Sequence, residues 1–160
     1  MKITAILWGL MLSTATLAQE YEWDSEGAEA VEVGQEYLLW AELHDLKGNP
    51  FIGYRLIPFE EHLSCKYASA DEQSYEVSEL KFDGITYQTH VLCLQFEETD
   101  DYYYSLVTFN VDIQQHYISR FAIESGYVQL EFDGAIFDIP TKGFNKAYTD
   151  KFKRPVLSNY

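Results

Sequence analysis

Two Asp-Gly pairs constrain the fold of this chain more than any other sequence feature. Asp83-Gly84 and Asp133-Gly134 each stand between two runs of apolar, aromatic and β-branched residues. Because Asp-Gly readily adopts the positive φ angles of a tight two-residue turn, each pair predicts a β-hairpin. An antiparallel sheet is therefore the expected framework of the protein.

Three further segments have strand-like composition, since aromatic and β-branched residues pack well on a pleated surface. Turn residues at 47–50 separate the first two segments, and an acidic loop at 97–101 precedes the third. The three predicted strands are residues 37–43, 51–57 and 102–111.

Two segments place aromatic or aliphatic residues four positions apart, which predicts a short helix in each. They are residues 113–124, with Asp112 as the N-cap, and a closing helix with Thr141 as the N-cap. The expected fold is thus mainly β: an antiparallel β-sandwich or partly open barrel with two short helices.

The beginning of the chain has the pattern of a secretory signal peptide. Lys2 gives a positive start, residues 3–12 are apolar, and Thr16 and Ala18 are the small residues of a cleavage site. We therefore expect cleavage near Ala18-Gln19 and a periplasmic or secreted protein.

The domain organisation expected from these patterns is simple. A signal peptide at 1–18 is followed by an acidic N-terminal arm at 19–36 and a single β-rich domain at 37–160. No apolar run after the signal peptide reaches the about 18 residues of a transmembrane helix, so we expect no membrane-embedded segment.

Cys65 and Cys93 are the two cysteines of the chain. In an oxidising compartment such a pair predicts one disulfide. In the chain-entropy description, closing the loop between the two cysteines would stabilise the folded protein by roughly 3.5 kcal/mol.

The charge of the chain indicates which partners to expect. It has 26 acidic and 11 basic residues, for a net charge of −15. A surface this negative repels nucleic-acid phosphates and attracts a basic partner, although acidic charge can also serve solubility alone.

No motif for catalysis, metal binding or cofactor binding is present. The four histidines form neither an HxH nor an HExxH pattern, and the serine elbow and glycine-rich phosphate loop are absent. The carboxylate of Asp45 could orient the imidazole of His44 for base catalysis. At the end of a strand, however, such a pair is more often exposed to solvent. We expect no enzyme activity, no cofactor and no metal site.

Carboxylates lie beside aromatic residues in two parts of the chain. Tyr and Trp bury large areas at low entropic cost, and neighbouring carboxylates steer a basic partner. Residues 102–104 could instead alternate along a strand, which would place some of them in the core. The predicted partner-binding residues are Glu97, Glu98, Asp100, Asp101, Tyr102 and Tyr103, with Tyr21 and Trp23 in reserve.

Residues 128–147, VQLEFDGAIFDIPTKGFNKA, combine a strand, turn and strand with a G-F-x-x-A helix start. This ending resembles that of small secreted bacterial β proteins, namely the invasion-associated locus B group and accessory proteins of type VI secretion. The overall plan is similar to that of periplasmic immunity proteins of type VI secretion systems and of periplasmic lysozyme inhibitors. The resemblance implies a β fold and an envelope setting and assigns no active residue.

The leading hypothesis is a periplasmic inhibitory protein, an immunity protein that neutralises a toxin acting on the cell envelope, such as a type VI effector. Its partner would be a basic or cleft-bearing toxin or hydrolase, and exposed strand edges would also allow a homodimer. The alternatives are a glycan or small-ligand binding module, a periplasmic lysozyme inhibitor, and an envelope enzyme acting through Asp or Glu.

Overall fold

A computed structural model describes residues 22–31, 34, 36–60, 65, 75–97 and 99–156. Within these residues the chain forms eight strands and two helices. In chain order they are β1 (Ala28–Val31), β2 (Tyr37–Leu46), β3 (Asn49–Pro58), β4 (Glu76–Phe82), β5 (Ile85–Gln95), β6 (Tyr102–Val107), α1 (Val111–Ala122), β7 (Tyr127–Phe132), β8 (Ala135–Pro140) and α2 (Phe144–Phe152).

The eight strands form one antiparallel sheet in the order β1-β2-β3-β6-β5-β4-β7-β8. The sheet curls until β1 approaches β8, which makes a nearly closed barrel. The predicted mainly β architecture with two helices is confirmed, and of the two arrangements considered the barrel is the one observed.

Tight turns connect neighbouring strands as the Asp-Gly pairs predicted. Asp83 and Asp133 both have φ of 48°, and Gly84 and Gly134 have φ of 82° and 84°. Positive φ at both central residues gives the turn the twist that a two-residue hairpin needs. The turn at 47–48 between β2 and β3 has the same signs of φ.

The core fills the interior of the barrel. Alternate residues of each strand point inward, as the period of two requires. On β5 this places Thr89 and Val91 in the core, and α1 adds one face of its own. The largest fully buried side chains are Tyr54, Tyr117, Phe82, Phe121, Phe137 and Phe144.

The predicted N-terminal arm at 19–36 is wrong for the part that the structure describes. Ala28–Val31 is a strand that pairs with β2, and its inward residues Ala28 and Ala30, on either side of Glu29, are each 2% exposed. Ahead of it, the Trp23 backbone N–H donates to the Lys142 carbonyl at 2.8 Å. This segment therefore belongs to the barrel: β1 is an edge strand of the sheet, and Trp23 is bonded to the chain at the end of β8.

Both predicted helices exist, but their N-caps differ from the prediction. At α1 the Asn110 side chain accepts from the backbone N–H groups of Asp112 and Ile113 at 2.9 and 3.2 Å. At α2 the N-cap is Gly143, whereas Thr141 is buried just after β8.

The predicted disulfide is confirmed: Cys65 and Cys93 are bonded, with their Cα atoms 5.6 Å apart. The expected signal peptide lies outside the described residues. Among the helices that the structure describes, none is long and apolar enough to cross a membrane.

Candidate functional site

The acidic loop (residues 97–101) lies between β5 and β6 and is held in shape by hydrogen bonds within and beside it. The Phe96 N–H donates to the Asp101 carbonyl at 3.0 Å, and the Asp101 N–H donates to Thr99 Oγ1 at 3.2 Å. Gln95 Nε2 lies 3.3 Å from both the Thr99 carbonyl and Asp100 Oδ1. The loop therefore presents its carboxylates in a defined arrangement.

Five of the eight predicted partner-binding residues lie at this loop or directly after it. The carboxylates of Glu97, Asp100 and Asp101 are exposed, and Tyr102 and Tyr103 begin the strand that follows. Glu98 and Tyr21 lie outside the described residues.

Trp23 does not lie on this surface, and the expectation that it is exposed is wrong. The side chain is 4% exposed and packs edge-on against Phe121 and Phe144, with ring centroids 5.1 and 5.0 Å away. Its Nε1–H donates to the Pro140 carbonyl at 2.7 Å. A side chain so enclosed cannot serve as a surface anchor.

The first of two open depressions beside the acidic loop has a volume of about 920 Å³. Its aromatic wall is Tyr103, whose ring centroid lies 4.6 Å from that of Phe96. The guanidinium carbon of Arg55 lies 5.4 Å from the same ring, within the range of a cation–π contact. The lining residues are Arg55, Leu94, Gln95, Phe96, Glu97, Thr99, Asp100 and Tyr103.

The second depression, of about 540 Å³, lies beside the end of β3. It shares Phe96 and Asp100 with the first depression and adds Phe59, which is 55% exposed. Both depressions are thus lined by aromatic rings and carboxylates. Aromatic residues are enriched at the centre of protein–protein interfaces, and polar groups form the rim.

Tyr103 and Tyr104 point to opposite sides of β6, as strand alternation requires. Tyr103 contacts Arg55 on the outside of the barrel, while Tyr104 packs against the core. The alternative interpretation of residues 102–104 is therefore correct for these two residues, and the two tyrosines belong to different surfaces.

Arg55 belongs to a charged network that sequence reasoning missed. Its Nη2 lies 2.9 Å from Glu42 Oε1, and the other oxygen of Glu42 lies 3.2 Å from His44 Nε2. The His44 ring stacks on Phe51 with centroids 4.9 Å apart. The partner of His44 is therefore Glu42 and not Asp45, because residues two apart on a strand share a face.

A second feature that sequence reasoning missed is a group of exposed apolar side chains around His90 on β5. The His90 ring contacts Tyr75 and Phe109 with centroids 4.8 and 5.1 Å apart. Tyr75, Val77 and Phe109 are each between 56% and 58% exposed. Clusters of exposed apolar side chains on this scale commonly mark interaction surfaces.

In the part of the chain that the structure describes, no group of three His, Cys, Asp or Glu side chains could hold a metal ion. Comparison of the chain with protein-family models, with curated proteins and with solved structures gave no match. The functional groups that line the two depressions include carboxylates, tyrosine and phenylalanine rings, and one guanidinium.

Proposed function

We propose that this protein acts in the bacterial envelope by binding another protein through the acidic loop and blocking that protein's activity. The most specific form of the proposal is an immunity protein that neutralises a toxin directed at the cell envelope, such as a type VI effector. The proposal assumes export through the predicted signal peptide.

One observation supports this proposal above the others. Glu97, Asp100 and Asp101 are exposed on a single loop that lines two depressions, and the partly buried Tyr103 lies just after that loop in β6. An arrangement of this kind can insert acidic and aromatic groups into the cleft of a partner while the depressions receive the edges of that cleft.

The electrostatics favour a basic partner. The net charge of −15 includes the exposed carboxylates of the acidic loop. Long-range attraction would speed the encounter with a cationic cleft. Arg55 would disfavour partners that place no acidic or aromatic group opposite its guanidinium.

The test is capture followed by inhibition. The oxidised protein is immobilised, exposed to an envelope extract of its host and of competing strains, and the bound proteins are identified and purified. We expect at least one captured protein to be a toxin or hydrolase whose activity falls to background at a one-to-one ratio. Lysis of peptidoglycan by a basic lysozyme, measured beside it, distinguishes the lysozyme-inhibitor alternative.

Two matched variants assign the effect to the acidic loop. Asp100→Lys with Asp101→Lys should weaken both capture and inhibition, mainly by slowing association. Glu79→Lys with Asp138→Lys makes the same change of charge at exposed positions on β4 and β8 and should leave both intact. Equal behaviour of the two variants, or capture with no loss of the partner's activity, contradicts the proposal.

A further inference from the structure

The barrel has a further cavity, separate from the two depressions beside the acidic loop. It is a cavity of about 250 Å³ at the end of the barrel opposite to α1. Seven strands or their turns contribute to it. The lining residues are Tyr37, Leu56, Glu76, Ser78, Val91, Tyr104, Phe132, Asp133 and Ala135.

The cavity is the open end of the barrel interior, because its floor consists of core residues. Leu56 is 2% exposed, and Val91, Phe132 and Ala135 are each below 10%. The rings of Tyr37 and Tyr104 pack against this core and form the walls. Mouths of β-barrels are common positions for small-molecule sites, and this volume lies below the about 300–1,000 Å³ typical of drug-sized ligands.

The rim of the cavity is negative. Glu76 and Asp133 are both exposed carboxylates at its edge, and none of the described lining residues is basic. Burial, followed by the charges of Asp133 and Glu76, raises the pKa of Tyr104. The electric field of both carboxylates therefore reaches the wall of the cavity.

We propose that the barrel mouth binds a small organic cation with an apolar body, an amine or a quaternary ammonium. The apolar part would contact Leu56, Val91 and Ala135, and the cationic head would lie between the two tyrosine rings and the two carboxylates. Tyrosine faces attract such cations, and the neighbouring carboxylates add to the attraction. This inference is independent of the proposed function, since the two surfaces share no lining residue.

The test uses a pair of probes that differ in charge alone: choline and its uncharged isostere 3,3-dimethyl-1-butanol. Each is titrated into the isotope-labelled protein with its disulfide intact, and the methyl resonances of Leu56, Val91 and Ala135 are followed by NMR. We expect saturable shifts of these methyl groups with choline, and an affinity about tenfold lower for the isostere. Equal affinities for the two probes, or no saturable shift with choline, would overturn the proposal.

A double variant locates the site. Glu76→Gln with Asp133→Asn removes both rim charges, and we expect an affinity for choline about tenfold lower. The fold should be retained, because both side chains are exposed and Asn tolerates the positive φ of Asp133. Glu79→Gln changes an outward carboxylate on the same strand and should have no effect. Unchanged affinity in the double variant would also overturn the proposal.

Discussion

At the scale of single residues, the buried polar side chain of Gln114 joins α1 to the neighbouring strands. Gln114 on α1 is 4% exposed, and its side-chain amide bonds both polar groups of the Ile52 backbone. The same side chain donates to the Thr108 carbonyl at 2.8 Å. Gln114 thus continues the hydrogen-bond ladder between β3 and the end of β6, where the two strands separate.

Replacement of Gln114 by leucine should lower the free energy of unfolding by about 3 kcal/mol, since three buried backbone groups lose their partner. Urea unfolding monitored by circular dichroism measures the change. The exposed neighbour Gln115, changed to leucine, is the control and should stay within about 0.5 kcal/mol of the wild type. Similar losses in both variants would contradict the assigned role.

Two tyrosines in the core make the free energy of unfolding depend on pH in the alkaline range. Burial raises the pKa of Tyr117 to about 12 and raises that of Tyr54 well above its usual value. A tyrosine of this kind keeps its proton when folded, at a pH where the unfolded chain has lost it. The contribution of each tyrosine to the free energy of unfolding is therefore complete below about pH 10, and it is lost as the pH rises towards the pKa of the folded state.

We accordingly expect the free energy of unfolding to fall between about pH 10 and pH 12, by at most about 1.4 kcal/mol per pH unit for each tyrosine. Urea unfolding at closely spaced pH values measures the slope. Tyr117→Phe should reduce the slope without abolishing it, because Tyr54 remains. An identical slope in this variant would show that Tyr117 does not titrate as described.

At the scale of elements, the barrel is held shut by contacts that are distant in sequence. Trp23 precedes β1, yet it packs between α1 and α2 and hydrogen-bonds the end of β8. Gly143 allows this approach: its φ is 82°, and a Cβ there would lie 2.6 Å from the Trp23 carbonyl oxygen. The start of the chain thereby joins its last strand and last helix.

Trp23→Ala should destabilise the protein by about 3–5 kcal/mol, as expected for the loss of a buried tryptophan. Chemical denaturation gives the value. Trp40→Ala, on the outer face of β2, is the comparison and should cost clearly less, because the Trp40 side chain is only partly buried. A smaller loss at Trp23 than at Trp40 would contradict the described closure.

The disulfide joins the segment between β3 and β4 to β5. It links residues 28 positions apart, and its removal by replacing Cys65 and Cys93 with alanine should cost roughly 3.5 kcal/mol through the regained freedom of the unfolded loop. Urea midpoints of the oxidised protein and the double variant measure this difference. Equal midpoints would mean that the loop is already ordered in the unfolded chain.

At the scale of the whole molecule, the net charge is −15, and the acidic loop contributes exposed carboxylates to it. If the acidic loop is the binding surface, Asp100→Lys with Asp101→Lys should slow association by about tenfold and weaken its dependence on salt. Surface plasmon resonance with the captured partner at several ionic strengths measures both. Unchanged association and salt dependence would exclude the loop as the contact surface.

The elements of the fold followed from local patterns, but their assembly did not. Asp83-Gly84 and Asp133-Gly134 predicted two hairpins because turn chemistry involves only neighbouring residues. The order of the sheet depends on pairings such as β3 with β6, which bring together residues about fifty positions apart. The choice between sandwich and barrel therefore could not be predicted from the chain alone.

The sequence by itself determined strands β2 to β8, the two helices, the disulfide and the position of the acidic residues beside tyrosines, since each depends on local spacing or on residue type. It did not reveal β1. Tertiary structure alone decided that Trp23 is buried, that Glu42 joins Arg55 to His44, and that the barrel retains an open mouth. These features arise where distant segments meet, and the free energy of such meetings depends on how all strands pack together.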